Sequence, residues 1–136
     1  MDHKKIILNK ICSEKSIELF TKLKITSLIL FGSYNTDEYT AESDVDIAII
    51  GENKIDLDDI LELELYFETI LNKEIDIIDL KSDNIDLFVK INILNSGTVL
   101  YSSDDNFNYE AYAQQVDWTY RENRNYMFFR RRDVLL

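Results

Sequence analysis

Asp44 and Asp46 flank Val45 at the start of the apolar run VDIAII. Residues two apart in a strand point to the same face, so both carboxylates aim one way. Two anions a few ångströms apart repel in a partly buried site unless a cation sits between them. Hard oxygen ligands on one face suit Mg²⁺, which fills its remaining positions with water and substrate phosphates. A second acidic run, EIDIIDL, offers Asp76 and Asp79. They lie three apart and face opposite sides of a regular strand, so only one can join Asp44 and Asp46. Asp76 is the better placed if the two strands are neighbours, because Glu74 and Asp76 share a face. Asp79 then falls at the surface or at a strand end. Gly32 and Ser33 follow the apolar run ITSLILF. Glycine lets the backbone approach a phosphate closely, and amides of a following helix, with the Ser33 hydroxyl, can donate to it. Ten residues, Tyr34 to Ser43, separate this Gly-Ser from the Asp-x-Asp.

The hydropathy pattern supplies the elements that must position these groups. It predicts a helix over 2–23, with Ile7, Ile11, Leu19, Phe20 and Leu23 on its apolar stripe. Strands are predicted over 25–31, 45–50, 74–80 and 98–101. A short helix is expected over 33–39, with Ser33 near its start. Further helices are expected over 57–72 and 83–95, the first carrying Leu57, Ile60, Leu61, Leu65, Ile70 and Leu71 on its apolar side and a solvated acidic face. Gly97 follows the second, where a left-handed cap is expected. A long helix closes the chain over 104–132. Alternation of helices and strands predicts an α+β fold, α/β-like, with helices packed on a sheet.

Composition bounds the partners. The chain has 136 residues, 15 Lys+Arg against 26 Asp+Glu, and a net charge of -11. At roughly 100–200 residues per domain this predicts one domain over 1–136. Strong acidity opposes a grip on long nucleic acid or on an anionic membrane. No run of about 18 apolar residues is present to span a bilayer. Cys12 is the one cysteine and cannot form an intrachain disulfide, which fits a reducing cytoplasm. His3 is the one histidine and lies at the chain start, which leaves neither a His general base nor a zinc site. The terminal helix gathers Tyr109, Tyr112, Trp118, Tyr120, Tyr126, Phe128 and Phe129 with Arg121, Arg124 and Arg130 to Arg132. Its aromatics are expected mostly to pack on the domain. Some could form a protein–protein surface, and self-association as a homo-oligomer is open.

The stretch LFGSYNTDEYTAESDVDIAII resembles the signature of the DNA polymerase β-type nucleotidyltransferase superfamily. Its ten-residue spacing is similar to that of the minimal nucleotidyltransferase (MNT) branch. EIDIIDL looks like that branch's third-carboxylate strand, and GTVLYSSDD before a helix starting near Phe107 also fits. The resemblance implies the nucleotidyltransferase fold, with a small mixed sheet of about four strands. It further implies an antitoxin encoded beside a HEPN-domain toxin, transferring AMP from ATP to a tyrosine of that toxin RNase and releasing pyrophosphate. In this reading Gly32 and Ser33 hold the nucleotide phosphates. Asp44, Asp46 and Asp76 coordinate Mg²⁺, two ions in all, and Asp76 helps activate the attacking hydroxyl. The chain departs from the pattern after Gly-Ser. Family members often carry a basic residue there; Tyr34, Asn35, Thr36 and Asp37 stand in its place.

Two other functions fit the same residues. One is nucleotidyl transfer to a small-molecule hydroxyl, as in aminoglycoside-modifying relatives, which needs an acceptor pocket from a partner domain. The other is a non-catalytic antitoxin that binds and occludes its partner.

Overall fold

The computed structural model describes residues 3–32 and 44–135, with side chains from Lys5 to Gly32 and from Asp44 to Arg124. Ser33 and the short helix expected over 33–39 lie outside the described residues. The four apolar runs form strands β1 (Ile25–Phe31), β2 (Val45–Gly51), β3 (Ile75–Asp79) and β4 (Thr98–Ser102). They make one mixed sheet in the order β3-β2-β1-β4. β1 is antiparallel to both β2 and β4, and β2 is parallel to β3. A parallel pair needs a crossover, and helix α3 (Leu57–Leu71) supplies it.

β1 and β2 are buried on both faces, which is why they read as continuous apolar runs rather than alternating ones. Leu28, Leu30, Val45, Ile47 and Ile49 pack on one face with Phe20, Leu63 and Phe67. This is the layer of α1 (His3–Ile11), α2 (Glu14–Lys22) and α3. Ile29, Ala48 and Ile50 pack on the other face with Ile93, Tyr112 and Val116, from α4 (Leu87–Ser96) and α5 (Phe107–Leu135).

Several expectations are corrected. The helix predicted over 2–23 is two helices, because the Ser13 side chain accepts from the Ser16 amide (3.3 Å) and starts α2 afresh. Ser16 is buried and its hydroxyl donates to the Lys10 carbonyl at 3.1 Å, which secures the break. α4 starts at Leu87 rather than 83, where the Asp86 carboxylate accepts from the Phe88 amide at 2.8 Å. Gly97 is not left-handed (φ -78°, ψ 157°). Its missing side chain matters for a different reason: a Cβ there would run into the Ile93 carbonyl and the Ile29 side chain. Leu57, Leu61 and Leu65 of α3 are exposed, whereas Leu63, Phe67 and Leu71 are its buried residues. Of the terminal aromatics with described side chains, Tyr112 is buried and Trp118 is exposed. Arg121 pairs with Asp117 along the helix surface at 3.1 Å. Cys12 is half-buried and its thiol donates to the Leu100 carbonyl at 3.4 Å; burial pushes its pKa up, away from reactivity.

Asp79 is a strand-end residue, but it is buried and not on the surface. Its carboxylate accepts from the Ile55 amide at 2.8 Å and the Lys81 amide at 3.0 Å. It thereby ties the loop after β2 to the end of β3. Removing it strands two amides, so Asp79→Ala is expected to cost about 2–3 kcal/mol of stability, read from urea unfolding. A loss below ~0.5 kcal/mol would show that these bonds do not hold the two segments together.

Candidate active site

Strand register decides which carboxylates meet. Phe31 pairs with Asp46 across β1 and β2, and Asp46 pairs with Asp76 across β2 and β3. Gly32, Asp46 and Asp76 therefore stand side by side at one end of the sheet. Alternation from the buried Val45 and Ile47 puts Asp46, and Asp44 before it, on the α4–α5 side. Asp76, between the buried Ile75 and Ile77, shares that side. Asp44 and Asp76 are exposed and Asp46 is half-buried. Asp79 faces the opposite way and is committed to backbone amides, so the structure brings Asp76 to the pair and not Asp79.

Gly32 is the residue that makes room. Its φ of +78° lies in the left-handed region, which favours glycine. A Cβ there would overlap the Asp46 carboxylate Oδ2 and come within 3.0 Å of its Cγ. The backbone at the end of β1 and the central carboxylate are thus in direct packing contact.

The electrostatics follow from this crowding. Burial, and then the negative charges of Asp76 and Asp44, push the Asp46 carboxyl above the ordinary carboxylate range. Among the described residues, no ion pair reaches any of the three. The donor set is hard oxygen on one face, with unbalanced negative charge, and it fits a divalent cation. Among the described residues these carboxylates do not close into a ready-made cage of three or more ligands. That suits Mg²⁺, which usually takes one or two carboxylates and completes its shell with water and substrate phosphates.

Glu64 of α3 departs from the solvated face expected for the acids of that helix. It is half-buried, and its carboxylate accepts from the Ile77 amide at 3.3 Å, on the open edge of β3 beside Asp76. Burial chiefly raises its pKa, and the charges of Asp76 and Glu68 add to this against the Ile77 hydrogen bond. Its position was readable: residue 64 lies one turn after Ile60 and three before Phe67, on the inward stripe of α3.

The polymerase beta nucleotidyltransferase profile matches residues 14–106. The chain belongs to this nucleotidyltransferase family. The matched span contains all three carboxylates, Gly32 and all four strands. Two Methanocaldococcus jannaschii proteins, each classed as a candidate protein adenylyltransferase, are similar to it. One is 36% identical over 80 residues, covering 57% of this chain and 80% of that one. The other is 37% identical over 71 residues, covering 52% and 72%. Among solved structures, a toxin–antitoxin complex with AMP-PNP contains a chain matched at TM-score 0.68 and 21% identity, with 100% of both chains covered. The complex of a tri-AMPylated Shewanella oneidensis HEPN toxin with its MNT antitoxin gives TM-score 0.67 and 21% identity, covering 98% and 99%. These two likenesses show the α+β nucleotidyltransferase fold. Among the described residues, no helix is long and apolar enough to cross a membrane.

A carboxyl whose pKa folding raises costs stability while it is ionised, and the cost is relieved as pH falls through the folded-state pKa. Asp46→Asn keeps the shape and removes the charge. In cation-free buffer at neutral pH it is expected to stabilise the chain by up to ~1 kcal/mol, a figure kept small because the site is partly open to solvent. Thermal melts in chelator should show this gain shrinking towards about pH 4. A destabilised Asp46→Asn chain at neutral pH would contradict the account of the site as a crowded, uncompensated cluster.

Proposed function

We propose that this nucleotidyltransferase moves AMP from ATP to a tyrosine hydroxyl of a HEPN-type toxin RNase, with Mg²⁺, and silences that toxin. The observation that carries this reading is the register that sets Asp46 beside Asp76 and packs Gly32 against Asp46. The toxin–antitoxin complexes among the structural relatives and the adenylyltransferase class of the sequence relatives support the choice of acceptor and nucleotide.

In the proposed reaction the tyrosine oxygen attacks the α-phosphorus of ATP in line. The bond from that phosphorus to the oxygen bridging to the β-phosphate breaks, and pyrophosphate leaves with the electron pair. Asp76, exposed at the rim, accepts the hydroxyl proton, directly or through water. Gly32 presents the backbone end of β1 to the phosphates, and Ser33, next in sequence, supplies a further donor to them. Asp44, Asp46 and Asp76 hold Mg²⁺, which when bound polarises the phosphoryl oxygens and eases deprotonation of the attacking hydroxyl. The open rim suits a side chain delivered on another protein, since Asp44 and Asp76 are both accessible.

The test is intact-mass spectrometry of the partner toxin after incubation with this chain, ATP and Mg²⁺. The expected result is a mass gain of one or more AMP groups. Asp44→Ala with Asp46→Ala should reduce it by roughly 100-fold or more. An unmodified toxin that is nevertheless inhibited at equal stoichiometry without ATP would overturn transfer in favour of occlusion. Labelled aminoglycoside with unlabelled toxin would point to a small-molecule acceptor instead.

A further inference from the structure

A second cleft, of about 520 Å³, opens where β2 and β3 end. The carboxylates stand where those strands begin, about 20 Å away for strands of this length. The cleft's frame is tied down at several points. Asp79 holds the amides of Ile55 and Lys81, and the Lys81 ammonium donates to the Glu52 carbonyl at 3.0 Å.

Three lysines line this cleft, Lys54, Lys81 and Lys90, in a chain of net charge -11. Lys81 and Lys90 are half-buried, and among the described residues none of the three forms an ion pair. Leaving ammonium groups partly desolvated without a counter-charge is unfavourable. Glu52 and Asp83 also line the cleft and leave it one net positive charge. Tyr112 forms part of the wall. It is only 8% exposed, and its hydroxyl has no hydrogen-bond partner among the described residues. Its hydroxyl is closed off from solvent beneath the cleft surface, where burial, with the nearby charge of Asp79, pushes the phenol up to about 12. Gln115 and Thr119 add exposed polar groups beside it. The volume lies in the range of small-molecule sites.

We propose that this cleft is a second binding site, for a small molecule carrying a phosphate group. Its oxygens take the three ammonium groups as counter-charge and the exposed Gln115 and Thr119 side chains as hydrogen-bond donors. The proposal does not depend on the function assigned to the carboxylates.

The test is amide NMR on the ¹⁵N-labelled full chain in chelator, titrated separately with inorganic pyrophosphate and with AMP. With at least one probe, saturable shifts are expected in 52–54, 80–83 and 112–119. Saturation by pyrophosphate alone assigns the recognition to phosphate, and saturation by AMP alone requires the nucleoside as well. Lys81→Ala with Lys90→Ala should weaken binding roughly tenfold or more. Asp44→Ala with Asp46→Ala should leave it unchanged. Gln115→Ala with Thr119→Ala should weaken it roughly three- to tenfold. No saturation below ~10 mM with either probe, or shifts centred on Gly32 and Asp46 instead, would overturn the proposal.

Discussion

Repulsion between carboxylates on adjacent strands is the constraint around which this fold is organised. Asp46 and Asp76 are register partners in a parallel pair, and Asp44 lies on the same face two residues away. Neighbouring strands run ~4.8 Å apart, so two ionised groups at that spacing repel by up to about 3 kcal/mol at an effective dielectric near 20. Solvent at the rim reduces this, but nothing among the described residues neutralises it with an ion pair. The carboxylates stay together because the strands that carry them are fixed from both sides. Val45, Ile47 and Ile49 are fully buried against the α1–α3 layer, while Ala48 and Ile50 are fully buried against α4 and α5. Sliding either strand by one residue would turn its acids into one of these cores.

The same rigidity divides the two ends of the sheet into different chemistries. At the start of β2 the acids have no ion-pair partner among the described residues, and Gly32 gives them space. At the end of β2 the acid of β3 is consumed internally, because Asp79 is spent on the Ile55 and Lys81 amides. That leaves three lysines against two carboxylates, Glu52 and Asp83, around the second cleft. A strongly acidic chain can thus present a cation-seeking end and an anion-seeking end on one small sheet.

Much of this was legible from residue types. The strands were readable because each is a short apolar run ended by glycine or a polar residue, and the paired acids stood out because they interrupt such runs. Period-two alternation also separated Asp76 from Asp79, although the parallel pairing that makes it matter is a tertiary fact. What was not legible depended on side chains bonding to backbone. Ser13 splits the first helix by capping the second, which an apolar stripe continuing through Ile11 to Leu23 concealed. Asp79 was expected at a surface or strand end because a buried carboxylate is costly, and only the two amides it accepts from make burial tolerable. Glu64 was lost among the acids of α3, whose inward row is Leu63, Phe67 and Leu71 rather than Leu57, Leu61 and Leu65. Gly97 follows a helix, as left-handed caps do, yet it serves close packing against Ile29.

The central claim is that the three carboxylates form a divalent-cation site beside Gly32. Paramagnetic broadening by Mn²⁺ in the ¹⁵N-labelled chain tests it most directly, since Mn²⁺ replaces Mg²⁺ at oxygen sites. The account predicts that substoichiometric Mn²⁺ first broadens the amides of Gly32, Asp44 to Asp46 and Asp76, and that Asp44→Asn with Asp46→Asn abolishes this. Broadening that begins instead on the acidic surface of α3, or that survives the double substitution, would contradict it.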